Sequence, residues 1–175
     1  MTLSSCTIPT PLGDMLAVAS PAGLCLLEFV GQKGVERELA QVEAVRGSLA
    51  QMGDSPILAQ ARAELAEYFA GQRQGFGVPL DLVGTTFQQA VWRALLAIPH
   101  GQTRSYAQQA ASIGQPSATR AVAAANGANK VSIIVPCHRV IGSNGSLTGF
   151  GGGLARKEAL LALEAGSAQQ RLYDF

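Results

Sequence analysis

Charge, cysteine and histidine are all scarce in this sequence. Charged residues occupy 14% of its 175 positions and hydrophobic residues 47%. A disordered chain needs the reverse, low hydrophobicity and high net charge, so disorder is not expected. There is apolar material for one or two small domains with their own cores. Only three cysteines occur, Cys6, Cys25 and Cys137. An odd number at wide spacing is a poor disulfide framework. With two histidines, His100 and His138, and no Cys-x-x-Cys pair, no zinc ligand set exists, and neither metal nor cofactor is expected. No apolar run is long enough to cross a bilayer. The N-terminus lacks a basic start followed by an apolar stretch, so the expectation is a soluble, cytoplasmic protein.

The formal net charge of +1 hides an asymmetry. Residues 1–83 hold five Lys/Arg against nine Asp/Glu, a charge of −4, and residues 84–175 hold eight against three, a charge of +5. Two readings stand: a basic half facing a polyanion, or ordinary scatter between halves. The pI of about 7.7 argues against a grip on nucleic acid dominated by charge.

Residues 3–30 read as a β-meander of Leu3–Ile8, Met15–Ala19 and Leu24–Val30, with turn signals at Pro9–Gly13 and Ser20–Gly23. Val35, Leu39, Val42 and Val45 recur at helical spacing, which predicts a helix over 34–51. Ser55-Pro56 is an N-cap followed by proline at the first helical position. The helix it opens carries Ile57, Ala61, Leu65 and Phe69. Residues 76–82 alternate as a strand does. Gly84 marks a boundary. Thr86-x-x-Gln89 reads as a capping box for a helix burying Phe87, Val91, Leu95 and Ile98. Ser105-x-x-Gln108 opens another, which ends at Gly114, and Ala118–Ala125 forms the next. Two short Ala-rich helices across a turn of about four residues fit a helix-turn-helix or an ordinary helical hairpin. The run Val131–Val135 reads as buried and extended, and a last helix spans Leu154–Glu164.

Pro136-Cys137-His138-Arg139 is the chemical centre. A thiolate is the nucleophile, and cationic or hydrogen-bonding neighbours raise its population. A lone cysteine is usually a small buried hydrophobe, and that plain reading is applied to Cys6 and Cys25. Adjacent residues of an extended chain point apart, so His138 reaches the sulfur through a water or by a local bend. A histidine base needs an orienting acid. Glu164, among Leu160, Leu161 and Leu163, is the candidate, or else a solvated helix-end carboxylate.

At these residues the sequence resembles the O6-alkylguanine-DNA alkyltransferases, or methylated-DNA–protein cysteine methyltransferases. The resemblance is carried by Phe87-Gln-Gln-Ala-Val-Trp92, Arg120-Ala-Val, Asn126-Gly-Ala-Asn129, Pro136-Cys-His-Arg-Val-Ile-Gly142 and Gly152-Gly-Leu-Ala-Arg-Lys-Glu158. Thr10-Pro-Leu-Gly13 extends it more weakly into the first half. It implies a ribonuclease-H-like α/β domain over 1–84, then a winged helix-turn-helix-like DNA-binding and catalytic domain over 85–175.

The implied activity is repair of O6-alkylguanine by irreversible, single-turnover transfer to Cys137, with O4-alkylthymine left open as a second substrate. His138 would activate Cys137 through a water, Glu164 would orient His138, and Asn129 would hold the turn. Tyr106 would contact the flipped nucleotide and relay a proton to the leaving guanine. Arg120 would fill the gap in the stack, with Tyr106, Ser117, Ala118 and Lys130 beside it on the DNA surface. Val140, Phe150 and Gly151 would form the base pocket. The partner implied is double-stranded DNA, entered through the minor groove without sequence specificity, by a monomer whose cooperativity on DNA is left open.

Two positions depart from the family pattern. Lys130 stands where proline is common, and either loosens the turn or adds a phosphate contact. Phe150 stands where tyrosine is usual. A non-catalytic damage binder is disfavoured by the presence of Cys137. A helix-turn-helix regulator with an inert cysteine is the second alternative. A cysteine hydrolase would need an oxyanion hole, for which the sequence has no signature.

Overall fold

The computed structural model describes residues 2–173. The chain divides into two compact units, residues 1–85 with 130–132, and residues 86–129 with 133–175.

In the first unit, β1 (Leu3–Ile8), β2 (Met15–Ala19) and β3 (Leu24–Phe29) form the expected antiparallel meander. Thr10 closes its first turn, donating from Oγ1 to the Gly13 carbonyl at 2.6 Å. Ser20 closes the second, accepting from the Ala22 and Gly23 amides and donating to Asp81 at 2.6 Å. All six residues of β3 are buried. Successive strand residues point to opposite faces, so both faces of β3 are covered.

The helix expected over 34–51 is shorter, with α1 spanning Val35–Arg46. Gly47 ends it at φ 66°, a left-handed cap that glycine adopts without steric cost. The residues beyond form β4 (Ala50–Met52), which pairs parallel with β1 and gives the sheet order β3-β2-β1-β4. Helix α2 (Pro56–Phe69) starts as expected, with Ser55 Oγ accepting from the Leu58 amide at 3.2 Å. Leu3, Val18, Cys25, Leu26, Val42 and Val83 make one buried cluster.

Two expected strands are absent. Residues 76–82 make only a single bridge, Leu80 to Leu24. Pro79 has no N–H for a ladder, and the amides of Gly77 and Val78 both donate to Glu64 Oε1 at 3.0 Å. Residues 131–135 are buried but not extended. Val131 bridges Leu27, and the chain then turns, with Ile133 in the left-handed region at φ 73°.

The second unit contains α3 (Thr86–Leu96), β5 (Arg104–Ser105), α4 (Tyr106–Ser112), α5 (Thr119–Gly127), β6 (Val140–Ile141) and α6 (Leu154–Tyr173). Thr86 is the first helical residue of α3 rather than its cap. Val91, Trp92 and Leu95 form its buried face, and the Trp92 indole donates to the Ala125 carbonyl of α5 at 2.8 Å. The Ser105/Gln108 capping box of α4 is present as expected. Helix α5 starts at Thr119 rather than Ala118, so residues 113–118 connect α4 and α5, a longer turn than expected. The two helices are clasped by a reciprocal buried amide pair, Gln109 and Asn126, at 2.8 and 2.7 Å. Helix α6 runs on past Glu164.

Candidate active site

The second unit bends sharply at Pro136. Its φ of −84° and ψ of 64° place it at the centre of an inverse γ-turn, closed by the Cys137 amide on the Val135 carbonyl at 2.8 Å. The proline ring holds φ near this value in advance. Residues Cys137–Arg139 form one 3-10 turn, and Val140 leaves extended into β6. Strand β6 pairs with β5 in register Arg104 to Val140 and Ser105 to Ile141. That pairing sets the start of α4, and so Tyr106, beside the end of the 3-10 turn. The local bend that adjacent Cys137 and His138 require is therefore present.

Cys137 is half-buried. The Asn129 amide donates to its sulfur at 3.3 Å and to the Val135 carbonyl at 2.9 Å. One side chain thus holds both ends of the γ-turn and places a donor on the sulfur, which favours its anionic form. Asn129 is itself buried, and its backbone amide donates to the Asn126 carbonyl at 3.2 Å.

Behind the thiol lies a buried charge cluster. His138 Nε2 sits 2.6 Å from Glu164 Oε2, with both side chains shielded from water. Arg139 grips the same carboxylate through Nε at 2.7 Å and Nη2 at 3.0 Å, and donates from Nη1 to the Ile98 carbonyl at 2.7 Å. A carboxylate forked by a guanidinium can only accept, so Nε2 of His138 carries the hydrogen. Burial pushes the His138 pKa down, against the pull of Glu164 upward, and the ring is neutral. Nδ1 is then an acceptor, and among the described residues it is buried without a hydrogen-bond partner. A neutral imidazole with one open acceptor, one residue from a half-buried thiol, can receive a proton.

A second buried cation sits on the other side. Lys157, fully buried on α6, donates to the carbonyls of Val140 at 2.6 Å, Thr148 at 2.7 Å and Gly149 at 3.3 Å. Burial lowers its pKa, while the charge of Cys137 raises it. The Tyr106 hydroxyl donates to the same Thr148 carbonyl at 3.1 Å. Lys157 and Tyr106 thus pin the segment that leads into Phe150. Phe150 is half-buried, Gly151 is exposed, and the Phe150 carbonyl accepts from Gly153 at 2.9 Å.

The structure brings Cys137, His138, Glu164 and Asn129 into one cluster, with Tyr106, Val140 and Phe150 tied to it through Lys157. Ser117 and Arg120 are exposed at the start of α5, and Ala118 is half-buried there. Lys130 needs correction. It is neither a loose turn residue nor a free cation, because its buried amine donates to the Val83 carbonyl at 3.0 Å inside the first unit. A phosphate contact needs an accessible amine. Sequence reasoning missed Arg139 as the anchor of Glu164, and Lys157 altogether. The signal for Lys157 was its place on the stripe Lys157, Leu160, Leu161, Glu164, where a lysine at an apolar position calls for buried partners.

Comparison with known proteins agrees across both units. Residues 5–82 match the family described as 6-O-methylguanine DNA methyltransferase, ribonuclease-like domain, and residues 86–166 match its DNA binding domain. A methylated-DNA–protein-cysteine methyltransferase of Mycolicibacterium paratuberculosis is 50% identical over 149 residues, covering 84% of this chain and 89% of its own. One from Mycobacterium tuberculosis is 61% identical over 112 residues, covering 64% and 68%. The solved structure of Mycobacterium tuberculosis OGT in complex with DNA is 44% identical, with a TM-score of 0.79 over 94% of this chain and 93% of that one. The chain belongs to the methylated-DNA–protein-cysteine methyltransferase family.

Proposed function

We propose that this protein repairs DNA by moving the alkyl group of O6-alkylguanine onto Sγ of Cys137, once per chain. The observation that carries the reading is the open Nδ1 of neutral His138 beside a thiol that already accepts from Asn129. The thiol proton passes through a bridging water to Nδ1, and Glu164 stabilises the imidazolium that forms. The thiolate attacks the alkyl carbon in line, the new C–S bond replacing the C–O6 bond. The electron pair released to guanine is neutralised by a proton from the Tyr106 hydroxyl, and the tyrosinate regains its proton from solvent or the imidazolium. A thioether is not hydrolysed by these groups, so the chain is spent.

The target atom lies inside the duplex, so the base must be extruded. Helix α5 suits entry into the minor groove. It exposes Arg120, Ala121, Ala123 and Ala124, small side chains around one long cation that fills the vacated stack. Ser117, Ala118 and Tyr106 lie beside the path of the backbone. Phe150, Gly151 and the backbone at Val140 receive the base. The segment 85–175 carries this chemistry, and 1–84 the ribonuclease-like domain. We take the protein to act as a monomer in the cytoplasm; none of the three cysteines forms a disulfide, which suits a reducing compartment. No helix among the described residues is long and apolar enough to cross a membrane.

Intact mass after incubation with a duplex containing O6-methylguanine tests the proposal. One methyl per chain, mapped to Cys137 and absent in Cys137→Ser, is the expected result. Repeated turnover, or a label on Cys6 or Cys25, overturns it.

A further inference from the structure

The chain enters the first unit for three residues only, Lys130–Ser132, between Asn129 and Ile133 of the second. Those three residues are tied down heavily. The Leu27 amide donates to the Lys130 carbonyl at 2.8 Å, and the Ser132 amide donates to the Leu27 carbonyl at 2.9 Å. Lys130 Nζ donates to the Val83 carbonyl, and Ser132 Oγ donates to Glu28 Oε1. Glu28 is buried, and its other oxygen accepts from Gln32 at 2.6 Å. The buried Glu38 carboxyl adjoins Glu28 and, with it, acts on Lys130. Immediately after the strap, Ile133 holds a left-handed φ of 73° and is fully buried. A β-branched residue there is strained, and such strain persists only where the surroundings fix the backbone on both sides.

We infer that Lys130, Ser132 and Glu28 form a polar strap that positions Cys137, its side-chain anchors supplying the rigidity of the turn after Asn129. The strap adjoins Asn129 directly, and Asn129 is the residue that donates to the Cys137 sulfur. Loosening the strap lets the Asn129 turn and the strained Ile133 relax, and the donor leaves the sulfur. These are positioning residues, since none touches the thiol. With one proton between the two carboxyls, their single remaining negative charge offsets Lys130 and leaves the buried cluster neutral. Burial together with the neighbouring Glu38 pushes Glu28 up to about 9, so Glu28 holds that proton at neutral pH.

The inference rests on Cys137 being the acceptor, and the experiment separates the two. Wild type, Ser132→Ala, Lys130→Ala and Glu28→Gln are alkylated with free O6-benzylguanine. Rates are measured by intact mass across pH, with a melting curve for each protein. Wild-type labelling at Cys137 tests the acceptor alone. Ser132→Ala and Lys130→Ala should each lower the rate about tenfold, as small displacements at a reacting group do, and move the pH profile upward. Glu28→Gln, which still accepts from Ser132 and is neutral like the protonated acid, should keep the wild-type rate and profile. A merely structural strap would change melting temperature and leave the pH profile in place. If the two alanine variants fold and retain the wild-type rate and profile, the strap does not position Cys137. Should either fail to fold, Glu28→Leu, which removes the acceptor for Ser132, decides by the same two readouts.

Discussion

One carboxylate, Glu164, neutralises Arg139 and accepts from His138 at the same time, at distances of 2.6 to 3.0 Å and out of reach of solvent. An amide in its place carries no charge and leaves one accepting oxygen where His138 and Arg139 now use two. Glu164→Gln leaves Arg139 buried without a counter-ion, a change that costs about 3–5 kcal/mol of stability. It also removes the charge that stabilises the imidazolium, so Cys137 should react more slowly at neutral pH and need higher pH to form its thiolate. Alkylation by a small electrophile across pH, beside a denaturant titration, checks both. An unchanged rate profile in a folded variant would reduce Glu164 to an anchor for Arg139.

Glu28 gives the first unit a pH dependence of known sign. Its pKa is raised from 4.5 to about 9, first by burial and then by Glu38, while Ser132 and Gln32 pull it down. Between those values the native state holds a proton that the unfolded state has lost. Native protein thus binds more protons, and stability falls as pH rises through this window. Glu28→Gln has no such proton. Glu38, Lys130 and Arg37 remain in both proteins, and their shares largely cancel in the difference. Wild type should lose stability relative to Glu28→Gln by up to ~1.4 kcal/mol per pH unit from about pH 5 upward. Denaturant midpoints of the two proteins that run parallel from pH 5 to 8 would show that Glu28 is ionised in the native state.

What the sequence made legible was local. The meander, the Ser55-Pro56 start and the Ser105/Gln108 box depend on residues within a few positions of one another, and all three are present. The Pro-Cys-His-Arg segment is local too, and Glu164 followed from one question, which acid orients His138. Partners set by the fold were not legible. Strand β4 has three residues and exists because β1 offers a free edge. The alternation over 76–82 has the period of a strand, but Glu64, thirteen residues back, takes the amides a ladder would need. Lys130 reads as a surface cation until its amine is seen to reach the carbonyl of Val83, 47 positions earlier.

Arg120 is exposed on α5, whose other exposed residues Ala121, Ala123, Ala124 and Gly127 are small. Extruding a base costs a few kcal/mol of stacking and pairing, and a side chain in the gap offsets part of it. Arg120→Ala should therefore weaken duplex binding and slow repair of duplex O6-methylguanine, while free O6-benzylguanine reacts at the wild-type rate. Single-turnover rates on the two substrates decide the matter. Equal slowing on both would move Arg120 from the DNA to the fold or the chemistry.

Phe150 bears on how the base is held once extruded. It lies between Gly149, at φ 45°, and Gly151, in a segment whose preceding carbonyls are fixed by Lys157 and Tyr106. Phe150 is half-buried rather than enclosed in the core. Stacking depends on the ring, which phenylalanine and tyrosine share, and contributes ~1–3 kcal/mol per base. Phe150→Tyr should therefore be close to neutral. Phe150→Ala should slow transfer roughly 10- to 100-fold on both duplex and free O6-benzylguanine, because both place a purine against this ring. The competing reading makes Phe150 a core residue of the glycine loop, and it predicts a lower melting temperature in proportion to the lost rate. Rates on the two substrates and a melting curve for each variant separate these outcomes. An alanine variant that transfers at the wild-type rate, or slows only as far as it unfolds, would remove Phe150 from the base pocket.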